Sequence, residues 1–462
     1  MKRLTRALFN GPPPEERRII MKLLEVDKLQ VFPAEWFEGA ITPPASKSSS
    51  TRSVLAATLS KGTSRITNIA NSKNVKAMID CCEALGANIC YQDATTLAVD
   101  GPGWDGLNDH IVLNPGNSGV VLRLLLGVTA CLSDVTFRTD YDRSLGQRSN
   151  IEMMDALEAL GVQCKWRDND GKLPIHLDGT NLHGGDTAIS CRKSSQFLSG
   201  LLFLGASIKD RLSITVLDEL KAPDMVRTTM RILKQAGVEV QAQPNMMAYH
   251  LPADTTLQPS NYVVGSDPAS TAALLAAASV VPSNVRLTSY HEEEMGNGAV
   301  LDYLRKLGVR MERSSKELRV FGGGPFVAHN FDGSLAPDAV LPLAAVAAFA
   351  DGTSRFGNIE HIRYKECDRI SDYRAELLKA GIQTEETRDE LIIHGSPGGI
   401  DGGAEVFGHF DHGVIMALSA IAFGSRHGLI INDPQHVAQT YPTFFDDMQK
   451  IGASVTPLLK VA

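Results

Sequence analysis

Residues 83–89 read EALGANI, and five later stretches repeat the phrase: EALGVQC at 158–164, KQAGVEV at 234–240, RKLGVRM at 305–311, LKAGIQT at 378–384 and QKIGASV at 449–455. Their glycines are Gly86, Gly161, Gly237, Gly308, Gly381 and Gly452, spaced by 75, 76, 71, 73 and 71 residues. Self-similarity at a fixed long period is the signature of a repeated structural unit. Each copy reads as a helix closed by a glycine in the left-handed conformation, which only glycine takes without a Cβ clash, followed by a strand.

Working outward, a far more apolar segment precedes each copy: SVLAATLS, VVLRLLLGVTACL, QFLSGLLFLGA, ASTAALLAAASVV, AVLPLAAVAAFA and VIMALSAIAF. Helices apolar on every face belong inside a domain. Extended segments such as SRITNIA, VTFRTDY and LSITVLD follow most of them, so each unit holds one buried helix, one outer helix and several strands. Three units per domain give two similar α/β domains with helices inside and sheets outside. A solenoid is disfavoured by the long, few repeats, and a doubly wound sheet by the lack of a GxGxxG after the first strand.

The residues just before each buried helix are polar: Ser46-Lys47-Ser48, Asn117-Ser118-Gly119, Ser194-Ser195-Gln196, Asp267-Pro268, Pro337-Asp338 and Asp411-His412. If the buried helices of a domain run the same way, their N-termini meet at one face. Each then offers free N–H groups and about half a positive charge. A cleft between two such faces suits phosphates and carboxylates. Taken singly, these Ser, Asn and Asp residues also read as ordinary helix caps. Capping does not call for Lys47, Arg52, Arg123 or Gln196, which are costly on apolar helices unless a ligand or partner charge meets them.

Bulk properties exclude other classes. At 462 residues the chain exceeds what a single core fills. No apolar run is long enough to cross a membrane and no secretory signal opens the chain, so a cytoplasmic location is expected. Residues 1–21 read as a loose extension, from an upstream start or, less simply, a transit peptide. Seven cysteines lack CxxC or His pairing at metal spacing, and read as free thiols. The net charge of −8 argues against nucleic acid while leaving room for a small anion held by focused cations.

PPASKSSSTRSVLAATLSKGTSRITNI at 43–69, GNSGVVLR at 116–123, SSQFLSGLL at 194–202, DGTSRFGNI at 351–359, KECDRI at 365–370 and DPQHVAQTYPTFF at 433–445 resemble, in order, the signatures of the 5-enolpyruvylshikimate 3-phosphate synthase family of enolpyruvyl transferases. The resemblance implies a two-domain inverse α/β barrel of six βαβαββ-type units, with residues 45–264 in one lobe and 22–44 plus 265–462 in the other. It implies closure of the lobes on phosphoenolpyruvate and shikimate 3-phosphate. No metal or organic cofactor is implied, and a monomer is expected.

By motif, the resemblance makes Lys47 a proton donor touching both substrates, and Asp338 and Glu366 the acid/base carboxylates, with Lys365 beside them. Ser48, Arg52, Ser194 and Ser195 would hold the phosphorylated acceptor. Gly119, with Asn117 in the same motif, would surround phosphoenolpyruvate together with Arg123, Arg148, Gln196 and Arg369. Adding a hydroxyl across an enol ether needs a base, an acid and cations for the phosphate that leaves. Plainer readings exist too: Lys365 and Glu366 as a surface pair, Arg148 as a helix cap, and Asp338 as an N-cap.

Some positions depart from the family. Gly413 stands where it has an arginine, Gln439 where it has a lysine, and His361 where it has an asparagine. Leu220-Lys221-Ala222-Pro223-Asp224 replaces a Ser-Lys-Pro-Tyr. Each lost charge-assisted bond is worth roughly 1.5–3 kcal/mol, and His412 and His436 are nearby candidates to restore charge. Three uses of the scaffold follow: transfer from phosphoenolpyruvate to the usual or a changed acceptor, elimination of water or phosphate from a shikimate-type ring, and anion binding without catalysis.

Overall fold

The computed structural model describes residues 26–167, 170–290, 297–314 and 317–458; the extension read at 1–21 lies outside them. Its twelve described helices alternate between buried and outer. The six buried ones are α1 (Lys47–Leu59), α3 (Gly119–Val128), α5 (Gln196–Gly205), α7 (Pro268–Val280), α9 (Val340–Ala347) and α11 (His412–Gly424). The outer ones are α2 (Lys73–Ala84), α4 (Ile151–Glu158), α6 (Pro223–Gln235), α8 (Asn297–Leu307), α10 (Ser371–Lys379) and α12 (Phe444–Lys450). The six repeat glycines follow the outer helices with φ between +86° and +120°. At Gly161 a Cβ would also meet the Asn181 carbonyl oxygen at 2.4 Å, so both conformation and space require glycine there.

Among the described residues, six four-stranded sheets wrap these helices on one plan. In the first, Lys61–Thr67 pairs antiparallel with Thr96–Pro102, which pairs antiparallel with Asn88–Tyr91, while Asn261–Val263 joins the other edge in parallel. Two sheets borrow strands from the start of the chain: Phe37–Ile41 lies parallel to Ser283–Thr288, and Lys28–Val31 sits between Leu429–Asn432 and Val455–Leu458.

The apolar side chains form two clusters. One runs from Ala45 to Val264; the other combines Leu29, Val31, Phe37 and Ile41 with residues from Ala272 to Ala453. Within α5, Phe197, Leu198, Leu201, Leu202, Phe203 and Leu204 are all fully buried, each worth about 1.5–3 kcal/mol of transfer free energy. Helices α3 and α5 touch backbone to backbone: a Cβ on Gly127 would lie 2.2 Å from the Gly200 carbonyl oxygen, and one on Gly200 would lie 2.4 Å from that of Arg123.

The chain passes between the clusters at two adjacent strands. Ser46 N–H donates to Gly265 O at 2.8 Å and Asp267 N–H to Pro44 O at 2.7 Å, around an antiparallel bridge between Ala45 and Ser266. These crossings set α1 and α7 side by side at their starts. No described helix is long and apolar enough to cross a membrane.

Candidate active site

Four buried helices begin with a side chain that accepts a backbone N–H of the first turn: Ser46 for α1, Ser118 for α3, Asp267 for α7 and Asp411 for α11. Capping is therefore real at these positions, and the residues beside the caps are free to point elsewhere. Of these neighbours, Lys47 and Gly119 line a cleft between the two apolar clusters.

Lys47, the first residue of α1, touches both sides of this cleft. Its backbone N–H donates to Asp267 Oδ2 at 3.3 Å, and its Nζ reaches His412 Nε2 at 3.2 Å and Thr440 Oγ1 at 3.1 Å. An ammonium only donates, so His412 Nε2 accepts and the ring proton resides on Nδ1. Burial, reinforced by Lys47, pushes the His412 pKa down to about 4. His436 is likewise lowered, by burial first. Both are neutral near pH 7, so neither restores the positive charge missing at 413 and 439.

The second wall is a carboxylate cluster around Arg369, which is 2% exposed. Its Nε and Nη2 donate to Asp411 Oδ2 and Oδ1 at 2.7 and 3.0 Å, Nη2 also to Glu366 Oε2 at 3.2 Å, and Nη1 to Asp338 Oδ1 at 2.8 Å. Lys365 Nζ adds a bond to the same Asp338 oxygen at 3.2 Å. Burial alone would raise both carboxyl pKa values. At Asp338 it is outweighed by Lys365, Arg369 and Lys47, and at Glu366 chiefly by Arg369 and Arg148, so both lie well below the ordinary range. Asp338 sits in a single 3₁₀ turn, Pro337–Ala339, and makes no capping bond. Nor do Lys365 and Glu366 pair with each other: one binds Asp338 and the other Arg369.

The third wall carries two guanidinium groups. Arg123 donates through Nη1 to Ser194 Oγ at 3.1 Å and Gln196 Oε1 at 3.0 Å, and stacks 4.6 Å from the Phe197 ring centre. Burial, then neighbouring Arg148, lowers its pKa to about 9, which leaves it charged at neutral pH. Gly119 makes room for Arg148, whose Nη1 lies 3.1 Å from where a Cβ would stand. Arg148 Nε and Nη2 are buried with no hydrogen-bond partner among the described residues. A guanidinium facing a cleft with two donors unmet is costly unless an anion arrives. Arg148 is thus not serving as a side-chain cap.

Ser48, Ser194 and Ser195 also line the cleft. Arg52 and Asn117 do not. Arg52 is fully buried, donating to Thr229 Oγ1 at 2.7 Å and Ser48 Oγ at 2.6 Å, so its cost is met inside the protein rather than by a ligand. Asn117 Oδ1 accepts the Leu145 N–H at 3.2 Å and the residue faces a neighbouring cavity. Gln439 lines that same cavity, with Nε2 donating to Phe410 O at 3.1 Å. Gly413 leaves space beside Arg369: a Cβ there would be 3.3 Å from Nη2.

The cleft further includes Asn74, Lys193, Met225 and His361. Lys193 stands one place before the Ser194-Ser195 motif, a signal the sequence offered. Met225 and Asn74 arrive on outer helices, where polar-face residues give no such hint. His361 is 4% exposed, and both ring nitrogens lack hydrogen-bond partners among the described residues.

Two facing bodies of helix-centred, sheet-wrapped repeats, with helix starts, arginines and carboxylates gathered between them, form a cleft suited to small anionic ligands. The chain belongs to the EPSP synthase (3-phosphoshikimate 1-carboxyvinyltransferase) family, whose profile spans residues 33–448. A 3-phosphoshikimate 1-carboxyvinyltransferase of Burkholderia pseudomallei is 48% identical over 437 residues, covering 94% of this chain and 97% of that protein. One from Deinococcus radiodurans is 36% identical, covering 92% and 95% respectively. An EPSP synthase from Acinetobacter baumannii superposes with a TM-score of 0.76 at 24% identity, over 93% of this chain and 99% of that one, a likeness of fold.

Proposed function

We propose that the cleft transfers the enolpyruvyl group of phosphoenolpyruvate to a hydroxyl of shikimate 3-phosphate, releasing phosphate. The observation that carries this is the unpaired Arg148 edge and Arg123 facing Asp338, Glu366 and Lys47 across one cleft. Relatives named for carboxyvinyl transfer favour this reading over ring elimination and over binding alone.

In the first step the acceptor oxygen bonds to the central vinyl carbon and gives up its proton, for which Asp338 is the base, while Lys47, with the Glu366 carboxylate nearby, supplies a proton to the methylene carbon. In the second, phosphate leaves and takes up the proton held by Asp338, while one of the methyl protons returns to the acid, restoring the vinyl ether. Acid and base therefore return to their starting states. Arg148, Arg123 and Gln196, with the N-terminus of α3, hold the donor's phosphate and carboxylate; Arg369 acts mainly by fixing Asp338 and Glu366. Ser48, Ser194 and Ser195 take the acceptor's phosphate, with Arg52 orienting Ser48 from behind. The segments 22–44 plus 265–462 and 45–264 act as lobes that close on the pair, hinged at the two crossings.

The test is phosphate release from phosphoenolpyruvate with and without shikimate 3-phosphate, alongside ring absorbance. Phosphate appearing only with both substrates supports transfer. A conjugated diene formed without phosphoenolpyruvate would overturn it.

A further inference from the structure

The ammonium of Lys47 carries three N–H donors. Two are engaged on the far apolar body, by His412 Nε2 at 3.2 Å and Thr440 Oγ1 at 3.1 Å. That leaves one to face the cleft that Lys47 lines. Tetrahedral geometry means that two fixed donors determine the direction of the third. Neither anchor makes another side-chain hydrogen bond among the described residues; Thr440, the hydroxyl of the pair, is 2% exposed and stands immediately after the 3₁₀ turn Pro434–Gln439. The backbone of Lys47 is meanwhile tied to the chain crossing through Asp267.

We infer that Thr440 is a positioning residue for the proposed reaction: its hydroxyl aims the free N–H of Lys47 at the substrates, and it does so from the opposite body, so the donor is aimed only when the bodies are together. This rests on the transfer reading above. It differs from that reading in assigning work to a neutral side chain that touches no substrate and bears no charge.

The test compares Thr440→Val, which keeps shape and removes the hydroxyl, with Thr440→Ser, which restores it. A bond to a charged group is lost in the first, so kcat falls roughly 10- to 100-fold, while KM for either substrate shifts less than about threefold. Thr440→Ser recovers most of the rate. Competitive acetylation, mapped at Lys47 by mass spectrometry, reads the same contact without turnover: the valine variant labels severalfold faster than the parent, and the serine variant labels like the parent. Unchanged kcat and labelling in Thr440→Val, a rise in KM with kcat intact, or a serine variant as impaired as valine would each overturn the inference. A parent protein that releases no phosphate would refute the transfer reading instead, and the acetylation comparison would still decide the role of Thr440.

Discussion

Arg369 holds Asp411 by two parallel bonds at 2.7 and 3.0 Å, and the same guanidinium reaches Asp338 at 2.8 Å and Glu366 at 3.2 Å. Removing one member of a buried ionic set leaves uncompensated charge, at about 3–5 kcal/mol. Arg369→Leu is expected to lower the urea midpoint by that order and to abolish turnover. Arg369→Lys keeps a charge without the fork and should fall between. An unchanged unfolding midpoint in Arg369→Leu would show that the three carboxylates do not depend on it.

Asp338 is differently placed, because Arg369 retains Asp411 and Glu366 when it is gone. Asp338→Asn should therefore cost about 10²–10⁴ in kcat, with an unfolding midpoint that falls less than in Arg369→Leu, since Lys365 and one edge of Arg369 lose a partner. Parallel steady-state kinetics and thermal melts check both halves; full activity would remove Asp338 from the proton transfer.

Two buried histidines give the fold an acid limb. Burial and nearby lysines lower His361 to about 3, and burial with Lys47 lowers His412 to about 4, against about 6.5 in an unfolded chain. Between roughly pH 4 and 6.5 the unfolded state takes up protons that the native state refuses, so stability is complete above this window and declines as pH falls through it. At pH 5 each ring costs about 2 kcal/mol relative to pH 7. His361→Asn should recover about half of the combined loss, read as the difference in urea midpoint between the two pH values. The depressed carboxylates add little here, since both states are almost fully ionised at pH 5.

Helix contact through glycine is equally open to test. A methyl on Gly200 would stand 2.4 Å from the Arg123 carbonyl oxygen, and overpacking of this kind costs about 1–3 kcal/mol. Gly200→Ala should lower the melting temperature and, by shifting the turn that carries Arg123, the activity. Gly398→Ala, where a Cβ meets nothing within 4 Å, should change neither.

Next in sequence to the cleft residues Lys193 and His361, Arg192 Nη2 meets Glu360 Oε2 at 3.1 Å, while Arg388 Nε holds the other Glu360 oxygen at 2.8 Å. Arg192 and Glu360 belong to opposite bodies, so Glu360→Gln should weaken closure more than folding. Expected are a stability loss under about 1 kcal/mol and a rise of roughly two- to fivefold in KM for phosphoenolpyruvate, narrowing at high salt. A KM insensitive to both changes would show the pair idle.

The sequence made the architecture legible because its signals were repeated: one glycine-closed helix is ambiguous, six at near-equal spacing are not. The polar helix starts were legible for a similar reason, since Lys47, Arg123 and Gln196 stand at or near the starts of helices that continue apolar. What escaped were relationships formed only in three dimensions. Arg52 carries the same surface signal as Arg123, yet Thr229 and Ser48 satisfy it internally. His412 looked like a spare cation, but depth and an adjacent ammonium keep it neutral. Thr440 gave no signal, because a hydroxyl next to a glutamine acquires meaning only from what lies opposite.

The strand Lys28–Val31 is wedged between Leu429–Asn432 and Val455–Leu458. During synthesis on the ribosome, those two partners emerge long after the strand they flank, so the sheet awaiting them stays open until both have followed. The cluster from Ala45 to Val264 draws on one uninterrupted stretch and can assemble well before then. The two bodies, alike in plan, thus mature at different times, and the later one carries the greater exposure to aggregation while its central strand is unpaired.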